Sequence, residues 1–140
     1  MIVDYSSASP LTSLNDSVAS AYTYGSFGGD GITSSSIGAS GLYTVGVGST
    51  SDVLSLGAAD RTTWQGHTVD GTAVLVRFTY AGDANLDGTI DATDYGIVDN
   101  YVQFPGTSGF ALGDFNYDGT VDGTDYGIID NTFQSHVAVL

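Results

Sequence analysis

The stretch GDANLDGTIDATDYGIVDNYVQ at residues 82–103 returns as GDFNYDGTVDGTDYGIIDNTFQ at 113–134, without gaps and at an offset of 31 residues. Fifteen of the 22 positions are identical, and Ile90/Val121 and Val98/Ile129 exchange one apolar residue for another. A repeat of this kind fixes the architecture of its region, because both copies must fold as the same unit. Each copy carries the pattern D-x-N-x-D-G-x-[IV]-D-x-x-D. The first runs Asp83, Asn85, Asp87, Gly88, Thr89, Ile90, Asp91, Asp94; the second runs Asp114, Asn116, Asp118, Gly119, Thr120, Val121, Asp122, Asp125.

These residues occupy positions 1, 3, 5, 6, 7, 8, 9 and 12 of an EF-hand-type calcium loop. Calcium takes about six to eight oxygen ligands at roughly 2.3–2.6 Å, from a chain that can wrap around it. Side chains at positions 1, 3 and 5 approach from one side of a tight turn, and the glycine at position 6 lets the backbone reverse. The carbonyl of Thr89 or Thr120 then turns inward, position 9 acts through water, and position 12 closes the shell from the exiting helix. Position 12 is Asp in both copies, where Glu is usual, which leaves affinity and calcium-over-magnesium selectivity open. The expected metal set is therefore Asp83, Asn85, Asp87, Thr89, Asp91 and Asp94, with Asp114, Asn116, Asp118, Thr120, Asp122 and Asp125 repeating it, for two ions. Without a cation the four carboxylates of each loop repel one another, so ion binding is expected to be coupled to folding. The apolar residues at position 8, Ile90 and Val121, are expected to meet across the paired loops in a short β-contact.

A helix follows each loop, with Tyr95, Val98 and Val102 on one stripe and Tyr126, Ile129 and Phe133 on the other. Pro105 ends the first. Gly96 and Gly127 cost a helix about 1 kcal/mol each relative to Ala, and their repetition suggests close packing between the two helices. No entering helix precedes either loop: Thr72–Tyr80 reads as strand and 104–113 as a Gly/Pro linker.

Upstream of the repeat the chain is different material. Residues 1–81 carry six Asp and two Arg, whereas 82–134 carry ten Asp and no basic residue. Thr72–Tyr80 (TAVLVRFTY) is rich in β-branched and aromatic residues, and Trp64–Val69 is expected to pair with it through an Asp70-Gly71 hairpin turn. Gly41–Gly48 is a second strand and Asp52–Leu56 a third. The Gly and Ser clusters at 25–41 and 46–51, including GVGST, read as turns. Residues 11–24 fit a short helix or a strand equally. The fold class is thus α+β: a small antiparallel β-domain over 1–81, the paired loop-helix repeats over 82–134, and an apolar strand-like tail over 135–140.

Over all 140 residues there are 16 Asp, no Glu, no Lys and two Arg, a net charge of −14. That surface repels nucleic acid and anionic membranes. There is no Cys, hence no disulfide or thiolate metal site. No run of 18 apolar residues is present, so no membrane span is expected. The start MIVDYSSASP lacks the basic and apolar regions of a signal peptide, so an exported form would be a mature or excised one. No G-x-S-x-G elbow occurs, and the two histidines, His67 and His136, lie in different halves, so no catalytic residue is assigned. Trp64 and the tyrosines could stack on sugars, but buried strand aromatics are the plainer reading. The tail HVAVL could clasp the chain's own β-domain or be donated to a neighbour's sheet.

The loop followed by a single helix, given twice over 82–134, resembles a type I dockerin module. The preceding AADRTTWQGHTVDGTAVLVRFTYAGD resembles the β-rich stretch before such pairs near the C-termini of large secreted bacterial proteins. The resemblance implies a non-enzymatic calcium module, extracellular or at the cell surface, that joins a protein partner of the cohesin kind. It places the partner contact at loop positions 10 and 11 and on the helices. Here these hold Ala92-Thr93 and Gly123-Thr124, then Asp99-Asn100 and Asp130-Asn131, where the family often has basic residues. Thr93 and Thr124 are the partner-binding candidates it implies; Val137 and Val139 are candidates on the strand-donation reading. The alternatives are a self-assembling filament or surface-layer subunit built from copies of the chain, and a carbohydrate-binding module.

Overall fold

The structure, a computed structural model, describes residues 1–138, with side chains through residue 135. It is α+β, with two small antiparallel sheets and four helices. In chain order these are β1 (Ile2–Asp4), α1 (Leu11–Tyr22), β2 (Tyr43–Ser49), α2 (Thr50–Leu54), β3 (Arg61–Trp64), β4 (His67–Asp70), β5 (Ala73–Tyr80), α3 (Ala92–Tyr101) and α4 (Gly123–Ala138).

Strand β5 is central, flanked by β1 and β2, with Ile2 opposite Leu75 and Val47 opposite Val76. Alternation along a strand sends neighbouring side chains to opposite faces. Val74 and Val76 join Val45, Val47, Phe27 and Ile37 on one face, under Val18 and Ala21 of α1. The undecided segment is therefore helical, and Leu11, Leu14, Val18, Ala21 and Tyr22 recur at helical spacing toward that cluster. Leu75 points the other way, into a second cluster with Trp64, Val69, Leu86, Val98, Phe110, Phe115 and Ile129. That cluster draws on both halves of the chain, so the repeats pack directly on the sheet.

Several local expectations are corrected. The segment expected as a third strand forms helix α2, because Ser49 caps it by accepting from the Asp52 N–H at 3.0 Å, and Thr50 is buried with its hydroxyl donating to the Ala73 carbonyl at 3.1 Å. The hairpin turn is Gln65-Gly66 rather than Asp70-Gly71. Both residues have positive φ (52° and 80°), as a type I′ turn needs, while the Asp70 carboxylate accepts from the Thr72 N–H and redirects the chain toward β5. Gly46 and Gly48 are not in a turn but within β2. An added Cβ at Gly46 would lie 2.5 Å from Leu86 and 2.6 Å from Phe110, and one at Gly48 would lie 2.7 Å from Ala111. The bare backbone leaves room there for Leu86 of the first repeat and for Phe110 and Ala111 between the repeats.

The tail is also corrected. No glycine or proline interrupts Asn131–Ala138, and helix α4 runs on through 136–138 where a strand-like segment was expected. Val137 therefore lies in a helix; Val139 and Leu140 lie outside the described residues. No helix among the described residues is long and apolar enough to cross a membrane.

Candidate metal centre

Each loop is entered without a preceding α-helix: β5 leads into the first, and a short 3-10 turn over Phe110–Leu112 leads into the second. Both loops then make the same reversal. Leu86 and Tyr117 at position 4 have φ of 54° and 58°, and Gly88 and Gly119 at position 6 have φ of 92° and 91°. Two left-handed residues so close together bend the chain into a cup lined by its own donors.

The position-1 carboxylates are buried and tether the far side of each cup. Asp83 accepts from the N–H of Asp87 at 3.1 Å and of Gly88 at 2.9 Å, and Asp114 accepts from Asp118 at 3.1 Å and Gly119 at 3.1 Å. Thr79 on β5 adds a hydroxyl hydrogen bond to Asp83. The position-12 carboxylates close the other side. Asp94 accepts from the N–H of Ala84 and Asp91, both at 2.9 Å; Asp125 accepts from Phe115 at 2.7 Å and Asp122 at 2.9 Å. Asn85 and Asn116 donate to Asp87 and Asp118, each at 2.9 Å.

Position 9 behaves differently. Asp91 and Asp122 are exposed and accept from the N–H of Thr93 and Thr124, at 2.7 and 2.8 Å, which caps α3 and α4. With Asp94 answering back to the Asp91 N–H, the first helix starts on a full capping box. The carboxylates that feel one another's charge are then at positions 1, 5 and 12: Asp83 and Asp87 act on Asp94, Asp118 acts on Asp114, and Asp114 acts on Asp125.

Electrostatics reflect that crowding. Burial, then the nearby Asp83 and Asp87 charges, push Asp94 up to about 7. Burial and Asp114 push Asp125 up to about 6. Asp83 and Asp114 are raised mainly by burial. At Asp87 burial also acts upward, but the hydrogen bonds from Thr89 and Asn85 and the Arg77 guanidinium outweigh it and hold the carboxyl low.

The donor set suits a hard divalent cation: carboxylates, an amide oxygen and main-chain carbonyls, with no sulfur. Among the described residues no three carboxylate or imidazole groups gather into a metal cage by themselves. A calcium shell takes amide and main-chain carbonyl oxygens as well as carboxylates.

The repeats are bound to each other reciprocally. Gly82, just before the first loop, lies where a Cβ would sit 2.9 Å from Ile129 of α4; Gly113, before the second, approaches Val98 of α3 at 3.4 Å. Tyr95 donates to Asp130 at 2.6 Å, and Tyr126 donates to Asp99. Both phenols are pushed up to about 12, by burial and by the carboxylate each one meets. Two expectations about this pairing fail. Ile90 and Val121 form no strand ladder; Ile90 is buried in the shared core and Val121 packs at its edge. Gly96 and Gly127 face open space with nothing within 4 Å, so their repetition does not reflect helix contact.

The remaining candidates are scattered. Thr93 and Thr124 are exposed on the first turns of α3 and α4. Trp64 is only 8% exposed, which removes it as a sugar-stacking platform. His67 is exposed on β4. Residues that repeat logic overlooked are Arg77 and Thr79, which lie outside the repeat yet touch the first loop. A polar pair on an otherwise apolar central strand was the available signal.

No curated protein and no solved structure matches the chain. Residues 81–134 match the family model of the dockerin type I domain, so this segment is similar to a dockerin calcium-binding repeat, a kind of non-catalytic module for protein–protein assembly.

Proposed function

We propose that the chain is an extracellular, non-enzymatic assembly module in which two calcium ions hold the dockerin-like half in shape against the β-domain. The ligands are the side chains of Asp83, Asn85, Asp87 and Asp94, the Thr89 carbonyl and, through water, Asp91. Asp114, Asn116, Asp118, Asp125, Thr120 and Asp122 do the same in the second loop. The observation that carries this reading is the recurrence of one hydrogen-bonded cup in both loops, donor for donor. Calcium supplies the positive charge that three crowded carboxylates per loop lack, and so fixes the start of each exit helix. Thr93 and Thr124 mark the exposed ends of those helices, where a protein partner of the cohesin kind would dock. Asp99 and Asp130 on the same helices are engaged by Tyr126 and Tyr95, so the helix pair offers that partner a rigid surface.

Isothermal titration with calcium tests the reading. Two ions per chain are expected, and chelation should lower helicity by circular dichroism and reduce stability. Linkage sets the scale: each site filled at about 100 times its Kd adds about 2.7 kcal/mol. A chain that takes up no calcium, or whose melting ignores chelator, contradicts it.

A further inference from the structure

The two loops have the same donors and different neighbours. On β5, Arg77 stands opposite Gly46 of β2 and reaches over the first loop. Its Nη1 donates to the Leu86 carbonyl at 2.6 Å. A Cβ added to Gly88 would lie 2.7 Å from its Nη2, so the guanidinium lies against positions 4 to 6 of that loop. Among the described residues the second loop has no counterpart. Gly119 has nothing within 4 Å, and Tyr117 at position 4 turns its hydroxyl away to the Val45 carbonyl. The only other arginine, Arg61, lies on β3 near Asp70.

We infer that Arg77 is a resident cation of the first loop that weakens its hold on a divalent ion, so that the second loop fills first. The inference rests on the reading that both loops bind calcium. A unit positive charge held against a loop opposes a doubly charged ion bound in it on the order of tenfold, even at the dielectric of water. Pinning the Leu86 carbonyl acts in the opposite sense by holding the loop ready. That bond is one partly buried contact to a neutral acceptor, whereas the charge acts on the full double charge of the ion, and the repulsion prevails.

Calcium titration of the whole chain by calorimetry at low salt is the test. Two sites about tenfold apart are expected. Arg77→Gln should strengthen the weaker site about tenfold and close the gap, while Arg77→Lys, which keeps the charge and loses the fork, should keep it. Asp114→Ala, which disables the second loop, should leave the weaker site behind. The unsubstituted chain gives an independent reading: raising salt screens the guanidinium, and the gap should narrow. Two equal sites at low salt, a gap indifferent to salt, or a gap unchanged or widened in Arg77→Gln each overturn the inference. A chain that binds no calcium at all overturns the function proposed above instead.

Discussion

The two loops of the repeat agree where they face inward and differ where they face the sheet. Positions 1, 3, 5, 6, 7, 9 and 12 are identical, whereas position 2 is Ala84 in one and Phe115 in the other, and position 4 is Leu86 against Tyr117. These four residues turn into the core clusters, and Ala84, Leu86 and Phe115 are essentially inaccessible. Phe115 packs edge-on against Phe110, Tyr117 stacks on the same ring and tilts toward Tyr22 of α1, and Leu86 fits over Gly46. A duplicated unit meets a sheet that is not itself duplicated, so its two copies must present different shapes to it. The identical positions build the ion cup; the variable ones dock the unit.

That division can be broken at its docking side. Phe115→Ala should cost the most, about 3–5 kcal/mol of stability, since it empties a site with no slack, and chemical denaturation reads the loss directly. A cost below about 1 kcal/mol would mean that the second loop is not anchored through position 2. Next comes Gly46→Ala, which drives a Cβ into Leu86 and the Phe110 ring and should destabilise by about 1–3 kcal/mol. The matched change Gly127→Ala, in open space on α4, should stabilise by about 0.5–1 kcal/mol, and the opposite signs of the two glycine changes are the sharpest check on where the halves touch. Of similar size is Tyr117→Phe, which removes the hydroxyl bond to Val45 and should lower the unfolding free energy by about 1 kcal/mol while leaving calcium affinity unaltered. A shift in affinity instead would show that position 4 belongs to the ion site.

How far the chain could be read in advance follows the same line between local and distant causes. The cups and the exit helices were legible because their hydrogen bonds run between residues no more than ten apart, and the spacing of Asp, Asn and Gly encodes them. The stripe positions Val98 and Ile129 were legible for the same reason. What misled was decided elsewhere in the chain. Gly46 and Gly48 look like turn residues until Leu86, Phe110 and Ala111 arrive to use the space they leave. Thr50 looks like a turn residue until the Ala73 carbonyl, 23 residues away, accepts its hydroxyl. The Asp70-Gly71 pair has hairpin chemistry, but Gln65-Gly66 takes the turn, because β4 pairs with β3 and β5 pairs in a different sheet. Arg77 was counted as charge; its meaning lies in the loop beneath it, which no local pattern reports.

The position of that arginine has one more outcome, for proteases. With no lysine and two arginines in 140 residues, an enzyme of trypsin specificity has two bonds to choose from. Arg61 is exposed on a two-stranded hairpin, whereas Arg77 sits in the strand hydrogen-bonded along both edges, its side chain tied to the next loop. Cleavage after Arg61 requires only a local opening of the hairpin. Cleavage after Arg77 requires β5 to leave the sheet, so the second cut measures how often the whole body comes apart.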